Sequence, residues 1–271
     1  FVNFVLNDLV YYHSSKNNGL FYSLIVFREK LFNMLKYQRI MLKLSGEALM
    51  GDTSESVDPN TVEFIIKQIK EILERGVKVG IVIGGGNFFR GLSGSDRLGI
   101  QRANADFMGM LATAMNGILL RDAFNARGIP SKVYSAFPIG NIIKGYNRDS
   151  AVKRISDGDV VIFVGGVGSP YFTTDSGSAL RAIEMNCDLL IKATKVDGVY
   201  DKDPKKYTDA VKYDKLTFDQ AISQNLGVMD MAAFALCREN EMNINVCSIF
   251  KPGSLLRVVT GEDEGTLVYC K

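Results

Sequence analysis

The stretch "KVGIVIGGGNFFRG", residues 78 to 91, runs from a strand-like apolar segment into Gly84, Gly85 and Gly86, with Arg90 close behind. Consecutive glycines let a chain turn sharply, adopt positive φ and bring backbone N–H groups against a ligand with no Cβ in the way. A phosphate suits such a turn. A tight strand-to-helix connection without any ligand suits these residues as well. Two further stretches carry chemistry at strand ends: "KLSGEA" with Lys43, Ser45 and Gly46, and "GGVGSPYFTTDS" with Thr173, Thr174 and Asp175. Lysine is a compact cation fit for a phosphate in transfer, and arginine a planar fork fit for a phosphate held in place. Standing alone, Lys43 reads as a solvated strand-end lysine, and its neighbours decide between the two.

Other chemistries lack their parts. The one histidine, His13, lies far from every motif, so Ser-His, Cys-His and His-metal arrangements have no candidate partner. Cys187, Cys237, Cys247 and Cys270 show neither a C-x-x-C pair nor a zinc-like spacing and read as unlinked thiols of a cytoplasmic protein. No Walker A loop and no kinase-type G-x-G-x-x-G follows an early strand; "GGVGSP" runs into Pro170 and lacks the glycine that closes a dinucleotide-binding motif. A net charge of +2 on 271 residues predicts no nucleic-acid or membrane surface, so local geometry must hold any small anion.

The elements that must position these residues alternate along the chain. "RIMLKL", "VKVGIVI", "SKVYSA", "DVVIFV", "DLLIKA" and "INVCSIF" read as strands. Between them, Asp58 and Pro59 start a helix that Gly76 stops, Gln101 to Arg127 forms a long Met- and Ala-rich helix, and "DSAVKRIS" and "GSALRAIEMN" form shorter ones. The strands lack polar alternation, which implies burial on both faces. The expected fold is therefore a three-layer αβα sandwich around a mainly parallel sheet, its two lobes sharing one sheet. Ligands of such sheets gather at the carboxyl ends of the strands, so the loops after the first, second, fourth and fifth strands are expected to converge on one crevice.

"MLKLSGEAL", "GIVIGGGNFFRG", "DFMGMLATAMNG", "SPYFTTDS", "KATKVDGVYDKDP", "GVMDMAAFALC" and "KPGSLLRVVTGEDEGTLV" occur in that order, and together they resemble the bacterial uridylate (UMP) kinases of the amino-acid kinase superfamily. The resemblance runs from about Tyr37 to the C-terminus. It implies phosphorylation of UMP by MgATP in a cytoplasmic homohexamer, without nucleic acid or membrane. On the ATP side it implies Lys43, Leu44, Ser45, Gly46, Gly86, Arg90, Thr194, Tyr200 and Asp203, with Lys43 touching the phosphoryl group in flight. On the UMP side it implies Gly85, Arg90, Asp106 at the ribose hydroxyls, and the loop of Val167, Gly168, Ser169, Pro170, Tyr171, Phe172, Thr173 and Thr174. Magnesium is expected on the ATP phosphates, with no metal ligand assigned to the protein. A phosphate acceptor oxygen is already deprotonated, so no general base is required and the missing histidine is no obstacle.

Three residues are expected to be catalytic. Lys43 is the first. Asp175 is the best carboxylate for arranging the lysines or a magnesium shell, although "TTDSGSA" would equally make it a helix N-cap. Lys192 is a second phosphate-neutralising cation, with Lys195 close by. Asp203 before Pro204 also fits an ordinary turn, and Asp230 in "VMDMAA" a cap or packing feature.

The chain departs from the family in places. Val167 and Ser169 replace a threonine and an asparagine of the uracil-facing loop, moving uridine preference onto backbone groups and Thr174. Arg121 and Asp122 match residues of a GTP site, but Lys132 and Asp159 stand where arginines would help hold its phosphates, which argues against GTP activation. A catalytically silent binder of the same fold and a kinase of a carboxylate or carbamate acceptor are the competing readings. Residues 1–33, rich in Phe, Asn, Tyr and Lys and preceding the first methionine, Met34, fit neither a signal peptide nor a membrane span. They read as a non-native or disordered extension before a single domain at 34–271, the alternative being an amphipathic arm used in assembly; deleting them is expected to leave activity and assembly intact.

Overall fold

The structure is a computed structural model that describes residues 35–89 and 99–270. The N-terminal extension and Arg90 lie outside the described residues. Strand β1 (Arg39–Leu44) pairs in parallel with β2 (Lys78–Ile83) on one side and β5 (Leu189–Thr194) on the other. Beyond β2 lie β4 (Val160–Val164) and then β3 (Ser131–Ser135); beyond β5 lie β9 (Ile244–Ser248), β10 (Thr266–Tyr269) and β8 (Lys215–Thr217). Within this eight-stranded sheet only the β9–β10 pairing is antiparallel, so β10 and β8 run opposite to the other six strands.

The expected sandwich is present, and the pleat sorts its two cores. Ile40, Leu42 and Leu44 project to one face, where they meet α1 (Pro59–Glu74), α2 (Arg102–Asn125) and α7 (Ser254–Thr260). Met41 projects to the other, toward α3 (Arg148–Asp157), α4 (Thr174–Glu184), α5 (Phe218–Ser223) and α6 (Met231–Glu239). Residue Ile65 of α1 and Phe124 of α2 are fully buried, as are the strand residues Ile81 and Ile162. The α1 start is as expected: the Asp58 carboxylate accepts from the N–H groups of Asn60 and Thr61, and Pro59 opens the helix.

Several short elements escape periodicity. The long loop after β5 contains the hairpin β6 (Val199–Tyr200) and β7 (Lys212–Tyr213), and the C-terminal β10 closes the sheet against β9. Helix α4 begins at Thr174, three residues before the expected start, because the Thr173 hydroxyl accepts from the Asp175 N–H and caps it. What matters for function is the order of the central strands. Strands β4, β2, β1 and β5 are consecutive neighbours, so the four loops singled out in the sequence leave the same edge side by side.

Candidate active site

Lys43 and Lys192 are direct Cα partners across β1 and β5, so their side chains leave the sheet on the same face, side by side. Two like charges at that register repel unless something lies between them. Asp175 does. Its Oδ1 is 2.8 Å from Lys43 Nζ and its Oδ2 2.8 Å from Lys192 Nζ, and the Lys192 ammonium also donates to the Val228 carbonyl at 2.5 Å. All three side chains are largely buried, at 12%, 18% and 12% exposure for Lys43, Lys192 and Asp175. Burial by itself raises the Asp175 carboxyl, but the neighbouring Lys43 and Lys192 ammonium groups outweigh it and hold the group below its ordinary range. Burial and the nearby Lys43 depress Lys192, and the Asp175 carboxylate opposes them only in part.

Asp175 is therefore a carboxylate shared by two cations, and Thr173 takes the N-cap role that its sequence context also allowed. The Lys43 ammonium is held by Asp175 Oδ1, and no second acceptor meets it among the described residues. Its other N–H donors remain for a ligand. Lys195, the competing cation, instead donates to the Gly51 carbonyl at 2.8 Å, so Lys192 is the lysine of this cluster.

The glycine triplet abuts this cluster through β1. Gly84 N–H continues the sheet by donating to Leu44 O at 2.9 Å, and the chain then turns so that Phe88 and Phe89 donate to Gly85 O. None of the three glycines has a positive φ, contrary to the sequence expectation. Close approach is the reason for them. A Cβ on Gly85 would lie 2.7 Å from Ala112 Cβ and 2.8 Å from Gly109 O on α2, and a Cβ on the facing Gly46 would lie 2.8 Å from Gly86 N. Left-handed backbone is found in the loop after β4 instead, at Gly165, Gly166 and Gly168.

A cleft opens where these loops meet, lined by Gly85 and Gly86, by Asp106, Gly109 and Thr113 of α2, and by Phe172, Thr173 and Thr174. Among the described residues neither the Gly85 nor the Gly86 N–H meets an acceptor. Together with the N-terminus of α4 at Thr173 and Thr174, these donors make one wall of the cleft receptive to an anion. The same cleft is lined by Asp106, whose carboxylate accepts from Arg102 Nε at 2.9 and 3.0 Å and from Tyr171 N–H at 2.8 Å.

Other expected residues have local partners. Ser45 caps the short 3-10 turn Gly46–Met50 through Ala48 N–H, and Leu44 is a core residue whose carbonyl receives Gly84. Thr194 Oγ1 donates to Val196 O at 2.6 Å, Tyr200 OH donates to Asp197 at 2.6 Å, and Asp203 organises its own turn through Lys205 N–H. The lining of the cleft includes none of Thr194, Tyr200 and Asp203. In the loop after β4, Val167, Gly168 and Pro170 are half-buried, while Ser169, Tyr171 and Phe172 are exposed. Arg121 and Asp122 pair with each other at 2.8 Å.

Some supporting residues were not picked out from the sequence. Asn116 on α2, fully buried, donates to Gly84 O at 2.7 Å and exchanges amide hydrogen bonds with Asn87, which ties the triplet to the helix. Thr113 Oγ1 accepts from Gly165 N–H at 2.7 Å and ties the loop after β4 to the same helix. Asp230, by contrast, is the cap expected from the sequence: it caps α6 through Ala233 N–H, and it also accepts from Ser176 and Thr173, binding α6 to the start of α4. Arg102 was also missed, and its spacing from Asp106, four residues apart on a helix, is the signal that could have found it.

Residues 38–248 match the amino acid kinase family. Among solved structures, the chain is similar to a UMP kinase from Bacillus anthracis at 39% identity, covering 86% of this chain and 96% of that one with a TM-score of 0.83. It is similar at 39% identity to a UMP kinase from Ureaplasma parvum, covering 87% and 100% with a TM-score of 0.81. A uridylate kinase from Archaeoglobus fulgidus shares 29% identity over 84% and 99% of the two chains, with a TM-score of 0.65. The sheet order, the shared carboxylate between two strand-end lysines and these matches lead to one conclusion: this chain belongs to the amino acid kinase family.

Proposed function

We propose that this chain transfers the γ-phosphoryl group of MgATP to UMP, giving UDP and ADP, as a step of pyrimidine nucleotide synthesis in the cytoplasm. The observation that carries the reading is the Lys43–Asp175–Lys192 cluster beside a cleft lined by glycine amides that meet no acceptor among the described residues. The likeness to solved UMP kinases supplies the acceptor. Lys43 and Lys192 neutralise charge on the phosphoryl group as it moves, and Asp175 holds the two ammonium groups at their spacing. Gly85 and Gly86 hold phosphate oxygens through backbone N–H groups. Asp106 takes the ribose hydroxyls, and the loop from Val167 to Thr174 faces the base. Arg90 grips the acceptor phosphate, while Thr194, Tyr200 and Asp203 serve the ATP side.

Both Asp175 oxygens face ammonium groups, so this carboxylate does not suit a divalent ion. Magnesium then arrives on the ATP phosphates, where it offsets their charge. The working assembly is a homohexamer, and nucleic acid and membrane play no part in turnover. A coupled ADP-release assay with UMP, CMP, glutamate derivatives, aspartate and carbamate tests the reading. Turnover with UMP is expected; turnover confined to a carboxylate or carbamate acceptor overturns it, and none with any acceptor favours a silent binder.

A further inference from the structure

Arg102 has no place in the reaction scheme above, yet it lines the cleft and bonds both carboxylate oxygens of Asp106. Its Nε donates to both carboxylate oxygens, at 3.0 and 2.9 Å, and its guanidinium carbon lies 5.5 Å from the centre of the Tyr171 ring. Tyr171 in turn donates its N–H to Asp106 Oδ2 at 2.8 Å. Tyr171 adopts a φ of 71°, an uncommon conformation for a bulky side chain, so its surroundings must hold it there. Two contacts can do so, the Asp106 hydrogen bond and the Arg102 guanidinium over the ring. The start of α2 and the loop after β4 are joined beside the cleft by these three residues.

A carboxylate has about four lone-pair sites, and the donors from Arg102 and Tyr171 lean on Oδ2, which leaves Oδ1 the more available oxygen. Arg102 thereby sets which edge of Asp106 faces the cleft. We infer that Arg102 is a positioning residue of the acceptor site: acting through Asp106, it presents the carboxylate to the ribose of the acceptor and fixes the Tyr171 loop beside it. This rests on the proposed UMP kinase activity and assigns a device for reading the 2′-hydroxyl.

The test compares wild type, R102Q, R102K, D106N and the R102Q/D106N double variant, with UMP and dUMP as acceptors and the KM for ATP measured alongside. Expected for R102Q is a rise of about tenfold in KM for UMP, with kcat and the KM for ATP within about twofold of wild type, because a hydrogen bond to a charged group is lost. The preference for UMP over dUMP in kcat/KM falls by a similar factor, and R102K, which keeps the charge with a different donor geometry, falls between. In the D106N background R102Q adds no further loss. Equal losses on UMP and dUMP, full additivity with D106N, or wild-type behaviour of R102Q would each overturn the inference while UMP turnover by the wild type stands. Absence of UMP turnover in the wild type removes the function reading, and this inference with it. Should R102Q fail to fold, R102K carries the same comparison.

Discussion

Replacing Asp175 with asparagine keeps shape and removes one charge from a cluster of three. Each of the two contacts is 2.8 Å long, which at an effective dielectric of about 20 corresponds to roughly 6 kcal/mol of attraction apiece before desolvation is counted. The cost of burying three ions offsets most of this, and breaking a buried pair by deleting one partner costs about 3–5 kcal/mol. The lower figure applies here, because the side chains retain some exposure and Lys192 can relieve the strain by releasing its proton. At about 2–4 °C per kcal/mol, the variant is expected to melt roughly 6–12 °C below the wild type at neutral pH.

The same substitution predicts a pH dependence. Without Asp175, burial and Lys43 push Lys192 further below its unfolded value of about 10.4. Between the lowered folded value and the unfolded one the unfolded chain binds more protons, so stability rises with pH in that window and the deficit narrows from neutral pH toward pH ~10. On the acid side the wild type has more to lose. The Asp175 carboxyl is lowered on folding, so its contribution is complete above the unfolded value of about 3.9 and is lost as pH falls through the folded one. Thermal melts of both proteins across pH read all of this. A variant that melts within about 2 °C of wild type at neutral pH, or a deficit that widens on going alkaline, would refute the shared-carboxylate account.

Two further substitutions separate chemistry from packing. Lys43→Met leaves Asp175 paired with Lys192, so kcat should fall by about 10²–10³ while the melting temperature falls less than for D175N; steady-state kinetics beside a melt decides it. Gly85→Ala drives a Cβ into Ala112 and the α2 backbone at 2.7–2.9 Å, and is expected to cost about 1–3 kcal/mol by denaturant titration and to raise the KM for both nucleotides. Unchanged stability in G85A would show that α2 yields at this contact.

The strand-end loops could be named from the residues because glycine clusters and isolated lysines in apolar surroundings break a local pattern. The same local view misjudged their physics in places. Gly84 to Gly86 look like residues chosen for positive φ, whereas they sit in ordinary backbone and are small because Gly46 and α2 lie against them. Asp175 looks like a helix cap until Thr173 is seen to fill that role. Strands as short as Lys215–Thr217 and Val199–Tyr200 carry too few residues for any periodicity to register.

The composition and pattern of this chain by themselves determined that buried strands alternate with amphipathic helices, that no histidine or paired cysteine could run the chemistry, and that cations and bare backbone wait at strand ends. Those properties are local, written in side-chain type and spacing. Only the tertiary structure decided that Lys43, and not its neighbours, faces Lys192 across two strands, that Asp175 lies between them, and that Asn116, Thr113 and Arg102 of one helix hold the surrounding loops. These contacts join residues far apart in the chain. Their register follows from which strands pair and from the close packing of helix on sheet, and no single segment encodes either.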